Sequence, residues 1–173
     1  EVTLEAQLPK NVTVRYCKFI NNEHISIRTT FGIQKASITV FADNISGWIT
    51  ELPVLSGIYI ENNIIYGSGG LSMFLASMKD SRVKDNLIVN SACRQNGLYS
   101  NAGISIWNCD NLDICGNVLI QESKEDDFTP VLWIEHENDG EVKIEGNIGF
   151  DIKKIKLQKN FRVSNQVEED KYV

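Results

Sequence analysis

Residues 103–120 read GISIWNCDNLDICGNVLI. Apolar and polar side chains alternate through Gly103–Trp107, the alternation breaks at Asn108-Cys109-Asp110-Asn111, and it resumes before Asn117. Period-two alternation places one side-chain set on one face, the pattern of a strand with a single buried face. The stretch therefore predicts two short strands around a tight corner.

The same pattern recurs along the chain. Aligned on an apolar residue followed three positions later by a small polar one, seven segments match: VTVRYCKF, ITVFADNI, IYIENNII, RVKDNLI, LDICGNVL, VKIEGNIG and IKLQKNFR. Their anchors are Val14, Val40, Ile60, Val83, Ile114, Ile144 and Leu157, and the residue two before each is apolar except Ser81. Three positions after the anchors stand Cys17, Asp43, Asn63, Asn86, Asn117, Asn147 and Asn160. Five asparagines among seven equivalent places is informative, because Asn is depleted in strands. Stacked at the strand spacing of about 4.8 Å, their amides can bond up and down a ladder while the backbone turns. The intervals between these positions are 26, 20, 23, 31, 30 and 13 residues, and all but the last are long enough for one full coil.

This repeat resembles that of the right-handed parallel β-helix family, the pectate-lyase-like superfamily, whose pattern runs G-I-x-I, then V-x-I-x-x-N-x-I. The resemblance covers roughly residues 11–150. It implies an all-β, single-stranded solenoid of about five or six coils with an asparagine ladder. Residues 1–163 are expected to form the β-helix domain, with 164–173 a charged tail or cap and little helix. A β-sandwich is the alternative, since it also uses short strands with Gly and Asn turns. The pattern fails at both ends: Asn147 to Asn160 is too short for a coil, Arg162 stands at an expected inward place, and no capping helix precedes Val12. Open solenoid ends expose strand edges, so the chain reads as a segment of a longer solenoid, with further coils or domains upstream.

At 173 residues and 42% hydrophobic the chain can bury a core. A net charge of −6 offers no basic stripe for nucleic acid. No apolar run approaches a membrane span of roughly 18 residues. The start, EVTLEAQLPK, lacks the basic-then-apolar order of a signal peptide and suits a mature or excised segment. Cys17, Cys93, Cys109 and Cys115 lack zinc-site spacing and are expected as free thiols, although Cys109 and Cys115 flank one corner and a disulfide between them stays open. Asn11-Val12-Thr13 and Asn44-Ile45-Ser46 fit the N-glycosylation pattern.

The candidate site lies on the strands that precede each turn, HISIR, GLSMFLA, GISIW and PVLWIE. With Met73/Leu75, Ile104/Ile106 and Leu132/Ile134 facing inward, the outward stacks are Phe74, Ser105, Trp133 and Ala76, Trp107, Glu135. Aromatic rings on an outward surface suit the C–H faces of sugars. Phe74, Trp107 and Trp133 are thus the expected platform, unless a loop such as QNGLYSN or QESKEDDFTP covers them. Arg28 is expected to face outward, where it could bind a carboxylate bidentately.

In VLWIEHENDGE, Glu135 and Glu137 share a strand face about 6.7 Å apart, inside the roughly 6.5–9.5 Å separation of an inverting glycosidase pair. They are the candidate acid and base, with His136 as auxiliary. The alternative is that these residues solvate the turn before Gly140. Trp133-Ile134-Glu135-His136 also looks like the W-I-D-H signature of pectate lyases, in which the acidic residue binds calcium, with Glu in place of Asp. The arginine motif of those lyases is missing, as is the N-T-D, G-D-D, G-H-G and R-I-K set of polygalacturonases. His24 and His136 are the only histidines, and His24 reads as a surface residue. The charge run Glu122, Glu125, Asp126 and Asp127 offers oxygens to calcium but lacks a calcium loop's alternate spacing, so no cofactor is expected.

The expected function is binding or processing of a polysaccharide by a β-helix, most simply as part of a glycoside hydrolase located outside the cell, in the periplasm or at the cell surface. A non-catalytic structural or adhesive module, like a tailspike or surface protein, is the second reading, and a polysaccharide lyase the third.

Overall fold

The computed structural model of the chain describes residues 8–21, 36–43, 49–50, 52–91, 102–121, 131–135, 141–149 and 162–164, with backbone alone at 102, 131, 133–135 and 162–164. Among these the protein is all-β, without helix, and its strands assemble into three parallel sheets. Sheet A orders β1 (Lys10–Arg15), β4 (Leu55–Glu61), β7 (Met78–Lys84), β10 (Asp110–Cys115), β13 (Val142–Glu145) and β14 (Arg162–Ser164). Sheet B orders β2 (Lys18–Ile20), β5 (Ile64–Tyr66), β8 (Leu87–Val89) and β11 (Val118–Ile120). Sheet C orders β3 (Ala36–Val40), β6 (Leu71–Ala76), β9 (Ala102–Trp107) and β12 (Val131–Glu135). From β1 to β13 the chain visits A, B and C in turn and returns to A beside its previous strand.

The corner between sheets A and B carries the asparagines. Asn63 Nδ2 donates to Asn86 Oδ1 at 2.9 Å, Asn86 Nδ2 to Asn117 Oδ1 at 2.9 Å, and Asn117 Nδ2 to Asn147 Oδ1 at 2.8 Å. The backbone N–H groups of Cys17, Asn63, Asn86 and Asn117 donate to the amide oxygen of the next circuit. The second amide hydrogen of each asparagine turns back to the preceding anchor carbonyl, at Val14, Ile60, Val83 and Ile114. Asn86 and Asn117 therefore use both donors and accept twice, so their burial leaves no amide group unsatisfied.

A left-handed residue precedes each rung. Tyr16, Asn62, Asp85, Gly116 and Gly146 have φ between 53° and 64°, which swings the chain from sheet A into sheet B. A second column, Asn11, Gly57, Asp80 and Asn111, bends the sheet A strands near their starts. Around that bend Ile58 N–H donates to Ser81 Oγ at 3.0 Å, and Ser81 Oγ donates to Lys79 O at 2.6 Å. Ser81, the one polar residue two places before an anchor, thus accepts a backbone N–H at the bend.

Inside the three sheets lies the main core, including Ile60, Met73, Leu75, Val83, Ile88, Ile104, Ile106, Ile114 and Ile144. Buried serines form a further polar column: Ser72 Oγ lies 3.2 Å from Ser68 Oγ and 2.9 Å from Ser91 Oγ, donating to one and accepting from the other, while Ser91 N–H donates to Gln121 Oε1.

Register corrects three expectations. Val40 belongs to β3 in sheet C, and Asp43 bridges antiparallel to Ile49, so this pair is no ladder rung. Its spacing imitates a rung because any alternating strand before a polar turn does so. The residue opposite Ile144 is Val163 rather than Leu157, which with Asn160 lies outside the described residues. Arg162 pairs with Lys143 where β14 adds to sheet A. Cys109, just before β10, and Cys115, its last residue, are free thiols separated by the length of that strand, roughly 20 Å, too far for a disulfide.

Candidate functional site

On sheet C the inward residues are as the alternation predicts, with Met73, Leu75, Ile104, Ile106 and Leu132 in the main core. The opposite face is not open. Phe74 and Trp107 are buried in a second apolar cluster with Ile49, Leu71 and Ala76, against which Ala36 and Phe41 pack. Their rings meet edge to face at 6.1 Å. The exposed platform expected of Phe74 and Trp107 is therefore corrected: an additional layer of chain, including Phe41 and Ile49, takes the surface that a sugar would need. Ser105, opposite Phe74 in its stack, is buried as well.

The backbone of β12 lies beside β9 as expected, with Trp133 opposite Ser105 and Glu135 opposite Trp107. The side chains of Trp133 and Glu135 lie outside the described set, as do His136, Glu137, Arg28, His24 and the acidic run 122–127. Their roles as platform, acid, base or carboxylate ligand therefore remain expectations. Among the described residues no three His, Cys, Asp or Glu side chains gather as a metal site.

Accessible polar chemistry lies on the outward face of sheet A, away from the candidate residues of the sequence. In-register pairing sets Thr13, Tyr59, Arg82, Asp113 and Lys143 in one row across five strands. A second row carries Arg15, Glu61, Lys84, Cys115 and Glu145. The inward neighbours of these rows, Ile58, Ile60, Val83, Leu112, Ile114, Val142 and Ile144, hold the strands against the core. One polar or aromatic side chain is thus presented per strand spacing of about 4.8 Å.

Arg82 organises the centre of this face. Its Nε and Nη2 both reach Glu61 Oε1, at 2.8 and 2.7 Å, and its guanidinium stands over the Tyr59 ring at 5.7 Å. A guanidinium held by a carboxylate and an aromatic face is an orienting group, not a base. That arrangement argues against lyase chemistry at Arg82. Lys143 pairs with Glu145 at 2.7 Å, and this contact raises the lysine pKa, with Asp113 adding to the effect. Burial followed by the charge of Asp113 pushes the Cys115 thiol up, so it is not an activated nucleophile.

The signal for this face was present in the repeat as the residues on either side of the anchors, TVR, YIE, RVK, DIC and KIE. Charges there read as ordinary solvated positions until the register aligns them. Comparison with known proteins finds no matching family model, no matching curated protein and no matching solved structure.

Proposed function

We propose that the chain is a right-handed parallel β-helix that binds a polysaccharide across the strands of sheet A. The observation that carries this reading is the double row of outward polar side chains, in register over five strands, with Tyr59, Arg82 and Glu61 at its centre. A hydroxyl-rich polymer laid perpendicular to the strands meets a new hydrogen-bonding side chain at each step, and the Tyr59 ring offers an apolar surface to a sugar face. Alternating signs within the rows leave the face without one dominant charge, which suits a neutral glycan better than a polyanion. Such a ligand goes with a location outside the cytoplasm: extracellular, periplasmic or at the cell surface.

Glycoside hydrolysis remains the catalytic form of this reading, with Glu135 and Glu137 as acid and base and His136 beside them. The described face supports binding without it, as in an adhesive module. Affinity electrophoresis against a panel of soluble neutral polysaccharides tests the proposal. Tyr59→Ala and Arg82→Ala are expected to abolish the retardation seen with the unaltered protein while leaving its circular dichroism unchanged. Retardation that survives both substitutions, or none with any polysaccharide, refutes it. Reducing-sugar release, lost in Glu135→Gln, distinguishes the hydrolase from the binding module.

A further inference from the structure

The two outward rows of sheet A carry three carboxylates, Glu61, Asp113 and Glu145. Glu61 receives Arg82, and Glu145 receives Lys143. Asp113 differs from both. It is half-buried, and among the described residues no hydrogen bond or ion pair reaches it. Its neighbours across the strands are Arg82 on one side and Lys143 on the other, at the strand spacing of about 4.8 Å. Its charge still acts on Lys143 and on Cys115. Each cation is turned to a glutamate of the second row, which leaves Asp113 as an uncommitted acceptor between two held donors.

Those donors are not used up. Arg82 gives Nε and Nη2 to Glu61, so the Nη1 hydrogens stay available, and Lys143 gives Glu145 one of its three ammonium hydrogens. The two side chains are 43% and 52% exposed, so a ligand can reach them. A metal ion needs several oxygen ligands and would find one carboxylate between two cationic groups. An anion gains little from cations that Glu61 and Glu145 already neutralise, and it meets the charge of Asp113. A hydroxyl is both donor and acceptor. Two hydroxyls on adjacent carbons satisfy all three groups: each gives its hydrogen to one Asp113 oxygen, while one accepts from Arg82 Nη1 and the other from Lys143 Nζ.

We propose that Asp113 is the specificity-determining residue of the sheet A face, selecting neutral polysaccharides whose linkage leaves two adjacent ring hydroxyls free. This inference rests on the glycan reading of that face and adds to it the class of polymer bound. A chain lying across the strands with one diol at Asp113 presents a further sugar ring to Tyr59, two strands and about 10 Å away.

The probes are linear neutral polysaccharides of two kinds. Glucans, xylans and mannans linked through the fourth carbon keep adjacent hydroxyls on the second and third carbons; glucans, galactans and mannans linked through the third carbon keep no adjacent pair. In affinity electrophoresis the unaltered protein is expected to be retarded by polymers of the first kind and not by those of the second. Asp113→Asn raises the dissociation constant about tenfold, the loss of one charge-assisted hydrogen bond. Asp113→Ala abolishes retardation, and both variants keep the circular dichroism of the unaltered protein. Equal retardation by both kinds of polymer, or an affinity unchanged in Asp113→Asn, overturns the role of Asp113; the glycan reading then stands on the loss of binding in Tyr59→Ala. No retardation of the unaltered protein by any polymer overturns both.

Discussion

Asn86 shows how one side chain can hold a corner. Its Oδ1 receives both the N–H and the Nδ2 of Asn63, while its own Nδ2 serves Ile60 O and Asn117 Oδ1. Asn86→Ala leaves two buried donors and one carbonyl unpaired and is expected to lower stability by about 2–4 kcal/mol. In urea titrations the midpoint should fall with little change in slope. Cys109 makes a different prediction. Burial pushes its thiol pKa up to about 12 from 9.0, with its Met78 and Trp107 backbone bonds opposing the shift. Because the folded state raises this pKa, the unfolded chain loses the proton first. The stabilising contribution is complete below about pH 9 and declines toward pH 12 by roughly 1.4 kcal/mol per unit. Cys109→Ala should remove that component from the pH dependence of unfolding, and native Cys109 should resist alkylation. The ladder positions were legible as recurring asparagines, but Asp43 carried the same spacing without joining the rungs.

Among the elements, the left-handed columns set the corners. Gly116 has φ +64°, and a Cβ there meets the Asp85 carboxylate from the circuit before. Gly146 has nearly the same φ, +62°, yet its Cβ has only Gly116 N nearby, at 4.0 Å. Both alanine substitutions incur the left-handed penalty of about 1–2 kcal/mol, but Gly116→Ala must also displace Asp85. It should therefore unfold at a lower temperature than Gly146→Ala, and equal melting temperatures would remove the contact argument. Sheet C illustrates the limit of pattern reading. Alternation assigned Met73 and Leu75 to one side and Phe74 to the other, and the structure keeps that division. It could not show that the second side is covered too, because the covering residues, such as Ile49, belong to a different element. Trp107→Ala accordingly opens a buried space and is expected to cost about 3–5 kcal/mol, read as a fall in the denaturation midpoint.

Over the whole molecule each strand bonds mainly to the equivalent strand one circuit before and after, so local opening is expected to begin where burial is least. Hydrogen exchange should be slowest at Ile60, Val83 and Ile114, which lie between bonded strands and deep in the core, and faster in the half-exposed strands β2 and β11. Uniform protection over these strands would contradict that gradient. The sequence by itself determined the strand period, the inward face and the amide rungs, because each is expressed within a few neighbouring residues. Only the tertiary structure decided that Val163 rather than Leu157 stands opposite Ile144, that Val40 joins sheet C, that Phe74 and Trp107 are covered, and that Tyr59, Arg82 and Glu61 meet on one face. Parallel strands pair across connections of unequal length, and burial of an outward face depends on chain arriving from elsewhere; neither is written in the local alternation of side chains.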